Sequence, residues 1–138
     1  MPDLSRFLDA QRLSYSAALT EIRNGRKQSH WMWYIFPQIA GLGFSSTAQY
    51  YAIRDISEAR AYLQDPILRS RLLEISQALL EQSGHDAEAI LGWPDNLKLR
   101  SSMTLFLHAD PSIPVFQKVL DKYYGGLEDE HTVALLDE

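Results

Sequence analysis

The sequence predicts an all-α fold, a single compact domain of six to eight helices of unequal length. Apolar residues recur every three or four positions in several long segments, which is the period of a helix that buries one face. Strand signals are nearly missing, because no window alternates apolar and polar residues over more than about four positions. The 138 residues, 46% of them apolar, match the size of one domain, so we expect residues 1–138 to share one core.

The first helix is expected to run from Asp3 or Ser5 to about Asn24. Apolar and long side chains recur at helical spacing in this segment, and Gly25 follows where a left-handed C-cap belongs. This stripe should pack in the core. Its members are Phe7, Leu8, Ala10, Gln11, Tyr15, Ala18, Leu19 and Ile22.

Six further helices are expected after position 45, most of them marked by a side chain that can cap the first turn. The clearest of them begins at Asp65 and Pro66, an N-cap followed by proline at the first helical position, and continues to about 83–84. The others are short or end at glycine pairs. They are 47–53 after Ser45 or Ser46, 58–63 after Asp55 or Ser57, 85–91, 95–107 capped by Asp95, and a helix from Asp110 or Ser112 to Gly125-Gly126. The acidic tail that follows has an apolar patch, 133–136, which we expect to dock as a short helix or strand.

An irregular aromatic connection, 30–38, follows the first helix and reads HWMWYIFPQ. A helix would bring Trp31, Tyr34 and Ile35 to one face, whereas a strand over 31–35 would bring Trp31, Trp33 and Ile35 together. Pro37 ends either element. The composition therefore leaves open whether this segment is a short strand.

Two interpretations of these rings also stay open. They can fill an irregular part of the core, with the tryptophan N–H and tyrosine O–H groups bonded to nearby backbone. Alternatively, they can form the walls of a pocket for a flat ligand, with His30, Gln38 and a tyrosine as polar contacts.

Two other segments could contribute to the same pocket. Residues 41–47 hold two glycines and three hydroxyl side chains before a helix start, so they form either an ordinary capped loop or an anion site on free backbone N–H groups. On the helix over 95–107, Lys98, Ser101 and Ser102 share one face, which either is solvated or faces a ligand. We predict that the three segments converge into one site. Its expected residues are His30, Trp33, Tyr34, Gln38, Tyr50, Lys98, Ser101 and Ser102.

Composition excludes several classes of function. The chain has no cysteine, and its four histidines lack metal-ligand spacing, so we expect no metal or cofactor. A net charge of −5 and no basic run beyond Arg26-Lys27 argue against a nucleic acid polymer as partner. No apolar run approaches the roughly 18–20 residues of a membrane span, and no secretory signal begins the chain, so we expect a cytoplasmic protein without membrane contact.

Five motifs resemble those of DUF1810, a bacterial family known as a domain of unknown function and sometimes labelled calpastatin. They cover nearly the whole chain, and the resemblance implies an all-α single domain without assigning an activity. The motifs are His30-Trp31-Met32-Trp33-Tyr34-x-Phe36-Pro37-Gln38, Gly41-Leu42-Gly43, Tyr50-Tyr51-Ala52-Ile53, Lys98-x-x-Ser101-Ser102-Met103-Thr104-Leu105-Phe106 and Asp129-x-x-Thr132.

A looser similarity exists to the NADAR-like N-glycosidases, which act on riboside or ADP-ribose-type substrates. In the segment 46–52, Ala48 or Gln49 stands where those enzymes would carry a glutamate. The similarity therefore implies no acid catalyst at this position.

Two functions are compatible with the expected site. The first is binding of, or action on, a nucleotide-like or phosphorylated small molecule, with Lys98 neutralising charge, serine hydroxyls donating hydrogen bonds and rings stacking on a base. The alternative is a protein-interaction module that uses the aromatic segment as a contact patch. An enclosed cleft favours the first, and a flat exposed aromatic surface favours the second.

Overall fold

The computed structural model describes residues 2–137, which form nine α-helices. The all-α prediction is confirmed, but the number of helices exceeds the predicted six to eight. Within the described residues there is no strand, and an isolated parallel bridge pairs Ile39 with Ile53. The helices are α1 (Ser5–Arg23), α2 (Met32–Ile35), α3 (Ser46–Tyr51), α4 (Ile56–Gln64), α5 (Pro66–Leu80), α6 (Ala87–Leu91), α7 (Asp95–Ala109), α8 (Pro114–Tyr124) and α9 (Glu130–Leu136).

The additional helix is α2, where a strand seemed possible from the sequence. The backbone N–H groups of Ile35 and Phe36 donate to the carbonyls of Trp31 and Met32 at 3.2 and 3.1 Å. A lone extended run would leave such groups without partners in the protein interior, whereas a helical turn satisfies them locally. Because Pro37 follows at once, the helix is limited to one turn.

Aspartate and serine side chains cap most of the predicted helix starts. Asp65 Oδ1 accepts from the backbone N–H groups of Ile67 and Leu68, both at 3.0 Å, as the Asp-Pro pair predicts. Asp95 differs from its predicted role, because the N-cap position of α7 is Pro94 and Asp95 is already helical. Its carboxylate is therefore available for lysines.

The start of α8 is also later than predicted. Asp110 and Ser112 form a local turn, in which the Ser112 N–H and hydroxyl both donate to Asp110 Oδ1 at 3.0 and 2.6 Å. The helix begins at Pro114, whose fixed backbone suits the first helical position. It ends at Gly125 in the left-handed conformation, as predicted.

The most central helix is α7, which packs against α4, α6, α8 and α9. Its side chains Leu99, Met103, Leu105 and Phe106 are completely buried. On the other side of the core, α1 packs against α5 and α2. Since α7 is surrounded, most of its polar residues bond inside the protein or line a cleft, and within the described residues Ser102 does neither.

The aromatic connection is attached to α1 by Glu21. Its carboxylate accepts hydrogen bonds from the backbone N–H groups of Gln28 and Ser29 at 2.7 and 3.0 Å, from the Ser29 hydroxyl at 2.5 Å and from the Trp31 indole N–H at 2.9 Å. Trp31 itself is 1% exposed. The first ring of the segment is thus a core side chain with a satisfied N–H group, as expected for a buried tryptophan.

Candidate functional site

A cleft of about 520 Å³ lies where the aromatic connection, the loop before α3, the first turns of α7 and the start of α9 meet. Its size falls within the range of small-molecule sites, roughly 300–1,000 Å³. Aromatic, cationic and anionic groups all contribute to its walls. The residues that matter for its chemistry are Trp33, Gln38, Lys98, Arg100, Ser101 and Asp129.

Lys98 lies over an aromatic ring in this cleft. Its Nζ is 5.6 Å from the centre of the Trp33 ring and 3.4 Å from Asp95 Oδ1, and its side chain is 28% exposed. Asp95 also binds Lys27, with Nζ 3.0 Å from Oδ2. Two lysines thus share one carboxylate, which leaves a net positive charge beside the tryptophan face.

Arg100 connects α7 to the segment before α9. Its Nε donates to the Leu127 carbonyl at 2.9 Å and one terminal nitrogen, Nη2, donates to the Glu128 carbonyl at 2.7 Å. Thr104 reinforces this connection, because its hydroxyl donates to the Arg100 carbonyl at 2.8 Å and accepts from the Asp129 N–H at 2.9 Å. Nη1 of Arg100 has no hydrogen-bond partner within residues 2–137, and Arg100 lines the cleft.

Asp129 joins α9 to Ser101. Its Oδ2 accepts from the Thr132 N–H at 3.0 Å and from the Thr132 hydroxyl at 2.6 Å, so it caps α9. The Ser101 Oγ lies 3.1 Å from the same oxygen and 3.2 Å from the Leu97 carbonyl. Since a hydroxyl has one proton, Ser101 donates to one of these two acceptors at a time.

The family model described as "Protein of unknown function (DUF1810)" matches residues 1–136. The chain belongs to the DUF1810 family. It is also similar to a solved structure, the conserved hypothetical protein Rv1873 from Mycobacterium tuberculosis, with 48% identity and a TM-score of 0.96 over 99% of this chain and 97% of that one. No curated protein matches. The resemblance expected from the motifs is thereby confirmed.

Four of the eight predicted site residues line the cleft of this DUF1810 protein, and four lie elsewhere. Those at the cleft are Trp33, Gln38, Lys98 and Ser101. Those outside it are His30, Tyr34, Tyr50 and Ser102. The aromatic segment and α7 therefore meet as predicted, but each contributes fewer side chains.

The four outlying residues have other environments. Tyr34 bonds to α1, with its hydroxyl 2.8 Å from Ser14 Oγ, and His30 is exposed. Tyr50 is 62% exposed at a different, shallow hollow. Ser102 is completely buried, because one residue along a helix turns the side chain by about 100° away from Ser101.

Several residues of the cleft were missed by reasoning from the sequence, and Arg100 and Asp129 are two charged ones. Arg100 carried no signal, since a lone arginine on a helix is usually solvated. Asp129 did carry one, because its spacing to Thr132 is that of an N-cap residue to the N–H group it binds. Its neighbours Glu128 and Glu130 place it in an acidic tail, a pattern that is typical of a solvated charge run.

The segment 41–47 forms an ordinary capped loop. Ser45 Oγ accepts from the Ala48 N–H at 3.1 Å and caps α3, a helix of six residues. The loop lies close to that helix, since a Cβ at Gly43 would be 2.6 Å from the Ala48 Cβ. This close approach explains a glycine here without any anion.

A larger hollow of about 730 Å³ lies at the start of α1, against α4 and the start of α5. Its carboxylates are engaged, since Asp65 caps α5 and Asp3 accepts from the Ser5 N–H at 2.9 Å. Among the described residues Arg60 is the cation that lines it, and its Nε lies 3.4 Å from the Ala109 carbonyl. The smaller cleft is the better candidate, because it combines the Trp33 ring with the cationic side chains Lys98 and Arg100.

Within residues 2–137, no group of three or more histidine, aspartate or glutamate side chains is arranged to hold a metal ion. The same part of the DUF1810 chain has no helix with the length and apolar character of a membrane span.

Proposed function

We propose that this protein binds a small anionic molecule that carries a planar ring, of the nucleotide-like or phosphorylated class, in the cleft between the aromatic connection and α7. The observation that carries the proposal is the position of Lys98 Nζ, 5.6 Å from the Trp33 ring centre, at the wall of this cleft. A cation beside an aromatic face suits a ligand with a phosphate next to a base.

The balance of charge supports an anion. Asp95 neutralises one of the two lysines that it contacts, and Arg100 has a donor nitrogen without a partner in the described chain. A phosphate would therefore meet the Lys98 ammonium group in a cleft that Arg100 also lines. Such charge-assisted hydrogen bonds are about twice as strong as neutral ones.

The test is a thermal-shift screen with nucleotides, nucleosides and phosphosugars. A ligand at about 100 times its Kd stabilises the folded state by about 2.7 kcal/mol, which raises the melting temperature by several degrees. Phosphorylated members of the panel should raise it more than the matching nucleosides. A panel without any such shift would refute the proposal.

Substitution of Lys98 localises the binding. Lys98→Ala should weaken the phosphorylated ligand found in the screen by about 1.5–3 kcal/mol, the range for a hydrogen bond to a charged group. Lys118→Ala is the matched control, because Lys118 is exposed on α8 and makes no ion pair within the described residues. Calorimetric titration gives both affinities. Equal affinities of the two variants would place the ligand away from α7.

A protein contact at the same place is the second candidate, because apolar side chains around the cleft are exposed. Phe44 is 84% exposed and Leu97 49% exposed, and both line the cleft. Trp93, 70% exposed, directly precedes Pro94 on the same wall. Where the protein partner is a second copy of this chain, the double substitution Phe44→Ser and Trp93→Ser should abolish the self-association that sedimentation velocity measures. Lys98→Ala should leave that self-association unchanged.

A further inference from the structure

We infer that the cleft selects a ribonucleotide, in which a ribose hydroxyl donates to Asp129 while Lys98 holds the phosphate. This inference rests on the proposed function and adds the ligand class and a specificity-determining residue. Asp129 was not expected at the site from the sequence. Its two carboxylate oxygens have different surroundings, and this difference carries the inference.

One oxygen of Asp129 is saturated and the other is free. Oδ2 has three hydrogen-bonding neighbours, the Thr132 N–H, the Thr132 hydroxyl and the Ser101 hydroxyl, at 3.0, 2.6 and 3.1 Å. Oδ1 has none among residues 2–137, although Asp129 is half-buried and lines the cleft. The caps on Oδ2 and the bond from its own N–H to Thr104 fix the carboxylate in place. A rigid acceptor with an open oxygen is thus presented to any ligand.

A carboxylate accepts hydrogen bonds and donates none, so it attracts donors and repels a phosphate. Lys98 lies one helical turn before Ser101 on α7, about 4.5 Å along the axis, and Ser101 touches Asp129. The same wall therefore presents the Lys98 ammonium group at one end and the Asp129 acceptor at the other, where Arg100 is bound to the carbonyls just before Asp129. A plain anion satisfies only the cationic end.

A ribonucleotide satisfies both ends. Its phosphate would meet Lys98, its base would lie against the Trp33 ring, and its vicinal hydroxyls would face Asp129. A nucleotide without those hydroxyls leaves Oδ1 desolvated and unpaired, which weakens binding. The specificity is thus for the hydroxyl groups as much as for the phosphate.

The experiment compares the four ribonucleoside 5′-monophosphates with their 2′,3′-dideoxy counterparts and with inorganic phosphate. Calorimetric titrations use the wild type, Asp129→Asn and Lys98→Ala. Asparagine also caps helices, so its carbonyl oxygen can replace Oδ2 while its NH₂ group replaces the free Oδ1. Circular dichroism melts check that each variant is folded.

In the wild type, the tightest ribonucleotide should bind at least about tenfold more tightly than its dideoxy counterpart, as expected for a hydrogen bond to a charged group. Asp129→Asn should reduce this ratio to about twofold or less, whereas Lys98→Ala should weaken both ligands by a similar factor and keep the ratio. Inorganic phosphate should bind more weakly than the ribonucleotide.

Equal affinity of the wild type for the ribonucleotide and its dideoxy counterpart would overturn the role of Asp129 and leave the proposed anion site intact. A ratio that Asp129→Asn does not change would also overturn it. If no nucleotide binds at millimolar concentration, a nucleotide-binding function fails, and the inference fails with it. The comparison of the wild type's affinities for the ribonucleotide and its dideoxy counterpart tests the inference even if Asp129→Asn does not fold.

Discussion

A buried polar side chain in this protein either stabilises the fold or lowers its stability, depending on whether it has hydrogen-bond partners. Glu21 has four donors around its carboxylate and holds the aromatic connection in place. Ser102 is buried with no hydrogen-bond partner for its hydroxyl within the described chain. Glu21 therefore stabilises the fold, whereas the Ser102 hydroxyl costs stability. Each statement can be tested with one substitution.

Glu21→Gln should reduce the free energy of unfolding at pH 7 by about 1 kcal/mol. This loss is smaller than that expected for removing a fully buried hydrogen bond to a charged group, because the site is partly solvated. Burial alone would raise the pKa of Glu21, but the hydrogen bonds from Ser29, Gln28 and Trp31 outweigh it and lower the pKa to about 2. Its ordinary value is 4.5. The stabilisation is thus complete above that value and is lost as the pH falls towards the folded-state pKa.

Urea unfolding of both proteins between pH 7 and pH 2.5 measures this effect. The difference in stability between wild type and Glu21→Gln should narrow as the pH falls below about 4.5. Parallel profiles over the whole range would show that the Glu21 carboxylate has no such shift.

Ser102→Ala should leave the free energy of unfolding unchanged or raise it by up to about 1 kcal/mol, because it removes a buried hydroxyl that has no partner. Ser101→Ala is its neighbour on α7 and serves for comparison, since that hydroxyl is bonded. Chemical denaturation gives both values. A loss of stability in Ser102→Ala as large as in Ser101→Ala would mean that Ser102 has a partner after all.

At the level of helices, the contact between α7 and α9 shows that polar residues of a buried helix can bind a neighbouring segment. Residues 100–104 supply the groups that hold the segment before α9, and Thr104 is completely buried at its centre. Asp129 is both the cap of α9 and a wall of the cleft. Docking of α9 and completion of the site are therefore coupled.

Thr104→Val tests this coupling with a substitution of nearly equal size. It leaves the Asp129 N–H without its partner, which should cost about 1–3 kcal/mol of unfolding free energy. Amide exchange in α9 should accelerate more than exchange in α5, which lies elsewhere in the core. Uniform acceleration in both helices would contradict a local role for Thr104.

Across all the helices, the buried apolar side chains of the described residues form one continuous cluster. It extends from Phe7 on α1 to Leu120 on α8, with α7 between them. A chain of this size with one core should have no stable part that folds alone. The cleft lies at the margin of this cluster, where short helices and loops meet it.

Thermal unfolding should accordingly be one cooperative transition. The midpoint from far-ultraviolet circular dichroism, which reports helices, should coincide with that from tryptophan fluorescence, to which Trp31 in the core contributes. Two separated midpoints would reveal independent units and contradict a single core.

Much of the fold could be predicted because its signals are local. The Asp65-Pro66 start, the Gly125 stop and the stripe of α1 act within one or two turns of their own helix, so neighbours in sequence are enough to specify them. The meeting of Trp33 and Lys98 was also anticipated, since both segments carried groups that a core does not need.

Tertiary packing determined the rest. Whether residues 32–35 become a strand or a turn depends on backbone partners that no local pattern supplies. Tyr50 and His30 lie outside the cleft, while Arg100 and Asp129 line it, because the packing of the helices decides which side chains reach a shared cleft. Periodicity thus specifies which residues are helical and which are buried, but a site assembled from four separate segments exists only once the core has fixed their relative positions.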